Sequence, residues 1–141
     1  MGSAGRQTRC SAADMLGAGA TLDAGALIAF ERSRRSVVVL VARALERDVE
    51  LAVPAGVVAQ VWRDGSRQAR LARLLASSVV HVVTLDDLSA RSIGQILGVS
   101  ETSDVVDASV AWCARQRGHA VVTADPDDIL AVDPDLQVVK C

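Results

Sequence analysis

Short apolar, β-branched runs alternate along this chain with longer segments of helical period. The clearest run, Ala120-Val121-Val122-Thr123, is entered after Gly118 and left through Asp125-Pro126, which predicts a buried strand. The same reading gives strands Gly19 to Asp23, Glu50 to Val53, Val79 to Val83 and Leu136 to Val139. Helical spacing predicts Ala24 to Glu31, Ser36 to Arg47, Ala55 to Arg63, Ser66 to Ala76, Asp87 to Leu97 closed by Gly98, and Asp104 to Gln116, with a turn of helix near Asp127 to Ala131. Strands that alternate with helices in this way define an α/β fold with a mostly parallel sheet.

Local signals mark the breaks. Gly65-Ser66 pairs a helix-ending glycine with an N-cap serine, and Asp86 stands as a capping acid before the periodic Leu88, Ile93, Ile96 and Leu97. Val37 to Val41 is apolar on all sides, so a helix there is either buried all round or half covered by a partner, and its valines also allow a strand.

Composition narrows the class. A chain of 141 residues, half of them apolar, fits one domain with a sizeable core. Phe30, Trp62 and Trp112 are its only aromatic residues, so the core is built from Val, Leu, Ile and Ala, and the scarcity argues against a base-stacking platform. A net charge of −2 argues against wholesale nucleic-acid binding but leaves room for a local basic patch. Arg63, Arg67, Arg70 and Arg73 offer one beside the buried stripe Leu71, Leu74 and Leu75, although a solvated helix face is the commoner use of such a pattern. Cys10, Cys113 and Cys141 form no paired framework, which points to a reducing, cytoplasmic setting. His81 and His119 lack zinc-ligand spacing and read as packing or edge residues. No stretch reaches the length of a membrane helix. Residues 1 to 14 lack periodicity and read as a disordered tail, with Met15 a plausible start of the domain at 15 to 141.

The aspartates carry the candidate chemistry. Asp23 and Asp125 fall just past the carboxyl ends of two strands, where open α/β sheets hold ligands and metals. Asp104 and Asp107 share one helix face with the small Ala108 and Ala111. Each has a plainer reading: Asp125 with Pro126 and Asp128 matches a helix cap, and Asp104 matches another. Asp23 lies in an apolar setting and Asp107 lies inside a helix, where aspartate is a poor former, so these two resist it better.

On these motifs the sequence resembles the PIN-domain proteins of the VapC toxin type. Leu22-Asp23-Ala24-Gly25-Ala26-Leu27-Ile28-Ala29 stands as the first motif, Asp104 to Ala111 as the third and Val121-Val122-Thr123-Ala124-Asp125 as the fourth. The resemblance implies an α/β/α sandwich and a magnesium- or manganese-dependent ribonuclease, often dimeric and restrained by a VapB-like antitoxin. It implies Asp23, Asp107 and Asp125 as metal-site acids and Asp104 as an accessory carboxylate. The second motif of that family has an acid where Val53 to Trp62 here places Gln60, an uncharged amide that can still offer a carbonyl oxygen.

Clustered carboxylates either hold raised pKa values or recruit a divalent cation, and oxygen-only ligands select magnesium or manganese. In that arrangement Thr123 is expected to hydrogen-bond a ligand carboxylate. Two other classes remain open. One is a degenerate domain of the same fold that binds RNA or an antitoxin without turnover. The other is a phosphate-handling domain of the receiver or haloacid type, disfavoured because Asp23 opens no D-x-D motif, Lys140 is the only lysine, and no Gly-rich phosphate loop is present.

Overall fold

The computed structural model describes residues 16–141. The tail reading of residues 1 to 14, with Cys10 and Met15, lies outside the described residues. The elements run β1 (Gly19–Leu22), α1 (Ala24–Glu31), α2 (Arg35–Arg47), β2 (Glu50–Pro54), α3 (Ala55–Val61), α4 (Ala69–Leu75), β3 (Val80–Val83), α5 (Asp87–Ser100), α6 (Val105–Arg117), β4 (Ala120–Thr123), α7 (Pro126–Val132) and β5 (Val138–Lys140).

All strand pairs are parallel, in the order β3-β2-β1-β4-β5. From β1 the chain therefore builds outward through β2 to β3, then returns to the other side of β1 for β4 and β5. Because parallel crossovers are right-handed, this reversal puts helices on both faces and makes an α/β/α sandwich. It also makes the carboxyl ends of β1 and β4 the topological switch point.

The three central strands β1, β2 and β4 are buried along nearly their whole length, as a sheet covered on both faces requires. Leu22, Leu27, Leu40, Leu51, Leu71 and Ile129 are the largest fully buried side chains. Each such side chain stabilises the fold by roughly 1.5–3 kcal/mol relative to exposure. A smaller core, Ile93, Ala108, Ala111 and Val132, locks α5 and α7 onto α6. No helix among the described residues is long and apolar enough to cross a membrane.

Several boundaries differ from those the sequence predicts, each for a local reason. Helix α5 continues through Gly98, which has open space where a side chain would be, and ends only when Glu101 turns left-handed at φ 58°. Ser66 caps no helix, since its backbone N–H and its hydroxyl both donate to Asp64. Gln68 ties down the same turn, accepting from the backbone of Arg63 and Asp64 and donating to the carbonyl of Val61. These bonds compete with helix, so α3 stops at Val61 and α4 starts at Ala69. The last strand is shifted to Val138–Lys140 because Leu136 is held in a turn by the carbonyl of Asp133. The valine run forms helix α2, with Val37, Leu40, Val41 and Ala44 buried and Val39 exposed.

His119 is a packing residue of an unanticipated kind. Its buried ring bridges Thr21, 3.1 Å from Nδ1, and Glu50, 3.2 Å from Nε2, while the Thr21 hydroxyl lies 3.7 Å from the Cys113 sulfur. Burial pushes the imidazole pKa down against the pull of the Glu50 carboxylate. His81 is exposed on the edge strand β3.

Candidate functional site

Asp23 and Asp125 leave the sheet side by side. Leu22 pairs with Val122 in register, and the backbone N–H of Asp23 donates to the carbonyl of Val122, so Asp23 emerges beside Thr123, two residues before Asp125. The switch-point crevice thus has one aspartate from each neighbouring strand.

Their local roles exchange what the sequence predicts. Asp23 does cap a helix: its carboxylate accepts from the backbone N–H of Ala26 at 2.9 Å. Asp125 occupies the N-cap position of α7, with Pro126 following, yet its carboxylate makes no capping bond. The Thr123 hydroxyl accepts from the Asp125 backbone N–H instead. Burial raises the pKa of Asp23, while the Thr123 hydroxyl and the amides of Ala26 and Gly25 favour its charged form and Asp125 opposes it.

Helix α6 brings the other pair. Asp104 is its N-cap and accepts from the Asp107 backbone N–H at 2.9 Å. Asp107, one turn in, is partly buried, and its carboxylate has no hydrogen-bond donor among the described residues. Desolvation comes first and the charges of Asp104, Asp128, Asp23 and Asp125 follow, together lifting Asp107 to about 6. The four aspartates of the sequence reading therefore share one electrostatic neighbourhood. They do not stand as a closed cage: among the described residues no three His, Cys, Asp or Glu side chains are grouped as a ready-made metal site. Mutual repulsion of carboxylates in a crevice is the physical reason for them to stay apart.

Two neighbours of this cluster escape the sequence reading. Asp128, three residues after Asp125 and on the same turn of helix, has its pKa raised by a shared hydrogen bond with Asp125 and by that residue's charge. The i, i+3 spacing was its available signal. Cys141 arrives from the far end of the chain, where its N–H donates to the Thr123 carbonyl. Burial and the Asp23 charge push its thiol up to about 11, a contact no local pattern encodes.

Gln60 lies exposed on α3, and its side-chain amide has no hydrogen-bond partner among the described residues. Its helix nevertheless starts against α6, where a side chain added at Gly56 would meet Val106 at 3.8 Å. Arg63, Arg67 and Arg70 each have a local partner. Arg63 donates to the carbonyls of Ala59 and Trp62, Arg67 sits 3.9 Å from Asp64, and Arg70 turns inward over Phe30.

Gly25 sets the width of the crevice. A Cβ there would lie 2.6 Å from the Ala124 Cβ and 3.1 Å from its nitrogen, so α1 meets the β4 end with no side chain between. Gly25→Ala is expected to cost about 1–3 kcal/mol through overpacking, outweighing its small gain in helix propensity. Urea denaturation checks this, and an unchanged midpoint would contradict the close approach.

No family model matches the chain, and no curated protein does. Solved structures do. PAE2754 from Pyrobaculum aerophilum superposes with a TM-score of 0.60 at 17% identity over 85% of this chain and 83% of its own. FitAcB from Neisseria gonorrhoeae gives 0.59 at 21% identity, covering 86% of this chain and 96% of its own. FitAB bound to an IR36 DNA fragment gives 0.58 at 22% identity, covering 86% and 94%. The likeness is one of fold, and with the five-stranded parallel sheet it bears out the α/β/α sandwich that the sequence led us to expect.

Proposed function

We propose that this PIN-fold chain is a magnesium- or manganese-dependent endoribonuclease, the toxin member of a VapC-like toxin–antitoxin pair. The observation that carries the reading is Asp107, a carboxylate without a donor, lifted to about 6 by burial and four neighbouring aspartates at the switch point of the sheet. Oxygen donors alone fit a hard divalent cation, and the Asp125 carboxylate, unused as a cap, shares a hydrogen bond with Asp128 whose proton a cation would displace. Asp23, Asp107 and Asp125 would hold the cation, with Asp104 beside them.

When bound, such an ion supplies charge neutralisation at a phosphate and a water of lowered pKa. The chain's own groups do the rest. Asp23, fixed by the Ala26 amide and braced by Thr123, gives a carboxylate of set direction. Asp107, without a hydrogen-bond donor from the chain, would turn its carboxylate to the cation, whose charge offsets the burial and neighbouring aspartates that raise its pKa in the metal-free chain. Asp104 is oriented by the Asp107 amide and keeps the first turn of α6 in place.

RNA is the proposed substrate, with a VapB-like antitoxin as partner and a homodimer as the assembly. The fold neighbour FitAB is bound to DNA, which accords with a nucleic-acid setting for this architecture. The free thiols of Cys113 and Cys141 accord with the cytoplasm.

Gln60 favours a second reading, a degenerate domain that binds RNA or an antitoxin with little turnover. The two separate on Gln60→Glu. If Gln60 faces the crevice, the added charge tightens manganese binding severalfold by calorimetry and raises cleavage. Unchanged affinity would show that Gln60 stands outside the site and that its missing charge does not weaken the catalytic reading.

A further inference from the structure

Away from the aspartates, α1, α2 and α4 border an open pocket of about 200 Å³ whose apolar walls are Phe30, Val41, Leu45 and Leu74. Its polar groups are Arg70, Arg73 and Ser77. The Arg70 guanidinium lies 5.0 Å from the centre of the Phe30 ring, and one of its terminal nitrogens approaches the Phe30 carbonyl at a long 3.4 Å. Its Nε is buried with no acceptor, and the Ser77 hydroxyl is buried with no partner. Arg73, exposed in the last turn of α4, makes no ion pair among the described residues.

Buried donors without acceptors are rare because the desolvation of each is uncompensated. Here both belong to residues that line one pocket, Arg70 and Ser77, and Arg73 adds a second guanidinium, with no carboxylate in the lining. The complement is an anion. Bare phosphate or sulfate would leave the apolar walls unused, and the volume lies below the roughly 300–1,000 Å³ of pockets for larger ligands. We propose that this pocket binds a small organic carboxylate with an aromatic or branched aliphatic body. The carboxylate sits between Arg70 and Arg73 as a charge-assisted acceptor, and the body lies against Phe30, Val41, Leu45 and Leu74. The inference does not rest on the nuclease reading, since none of these residues belongs to the aspartate crevice.

Isotope-labelled protein titrated with benzoate, benzamide, acetate and inorganic phosphate tests it by amide chemical shifts. Benzoate is expected to give saturable shifts at Phe30, Leu74 and Ser77, with an affinity at least tenfold above the other three. Arg73→Gln should weaken benzoate at least tenfold with an unchanged melting temperature, and Ser77→Ala should weaken it less. Arg73 is the preferred variant because Arg70 also packs on Phe30. Equal binding of benzamide, or full benzoate affinity in both variants, overturns the proposal. Binding of an acidic–apolar peptide with no saturable binding of benzoate overturns it in favour of a polypeptide ligand.

Discussion

Replacing Asp107 with asparagine is expected to reduce metal-dependent RNA cleavage by at least about a hundredfold while raising the melting temperature of the metal-free protein at pH 7. The two effects have one origin. With its pKa lifted from 3.8 to about 6, native Asp107 holds more protons than its unfolded counterpart between those values, so stability falls as pH rises through that window and stays lower above it. The amide keeps the shape and removes the charge. The full shift would amount to about 3 kcal/mol. Solvent screening of a partly exposed carboxylate reduces the expected gain to about 1 kcal/mol, a few degrees of melting temperature. Parent-level cleavage with unchanged melting would remove Asp107 from the site.

Manganese is expected to raise the melting temperature, and sodium at matched ionic strength is not. A ligand that binds only the native state stabilises it by RT ln(1 + [L]/Kd), about 2.7 kcal/mol at a hundredfold excess over Kd. Repulsion among Asp23, Asp104, Asp107, Asp125 and Asp128 adds a native-state penalty that a divalent cation relieves. In the Asp107→Asn protein the manganese increment should shrink markedly. Equal responses to manganese and sodium would mean that these carboxylates are screened independently, as scattered helix caps are.

The fold was legible where pattern is local. The strand Ala120 to Thr123 and the helix carrying Asp107 announce themselves by β-branched runs and 3.6-residue spacing, and strand-end placement of Asp23 and Asp125 follows from them. What escaped depends on competition between short-range bonds. Gln68 and Asp64 outbid helix across residues 62–68, and Glu101 rather than Gly98 ends α5. That Asp23, Asp104 and Asp125 come within electrostatic reach of Asp107 was legible from their places at element ends. The cap role of Asp104 was legible too, whereas those of Asp23 and Asp125 were not, because Thr123 takes the Asp125 amide and only the three-dimensional register reveals it. The Cys141 N–H bond to the Thr123 carbonyl and the bridge from Glu50 through His119 to Thr21 join residues far apart in sequence, and no periodicity encodes such pairs.

The most direct measurement is cleavage of a structured RNA by the purified protein, with magnesium or manganese and with chelator, alongside the Asp107→Asn variant. The account predicts cleavage that requires the divalent ion, vanishes with chelator and is lost in the variant. Cleavage that persists in chelator or in the variant, or none under any metal, would contradict it.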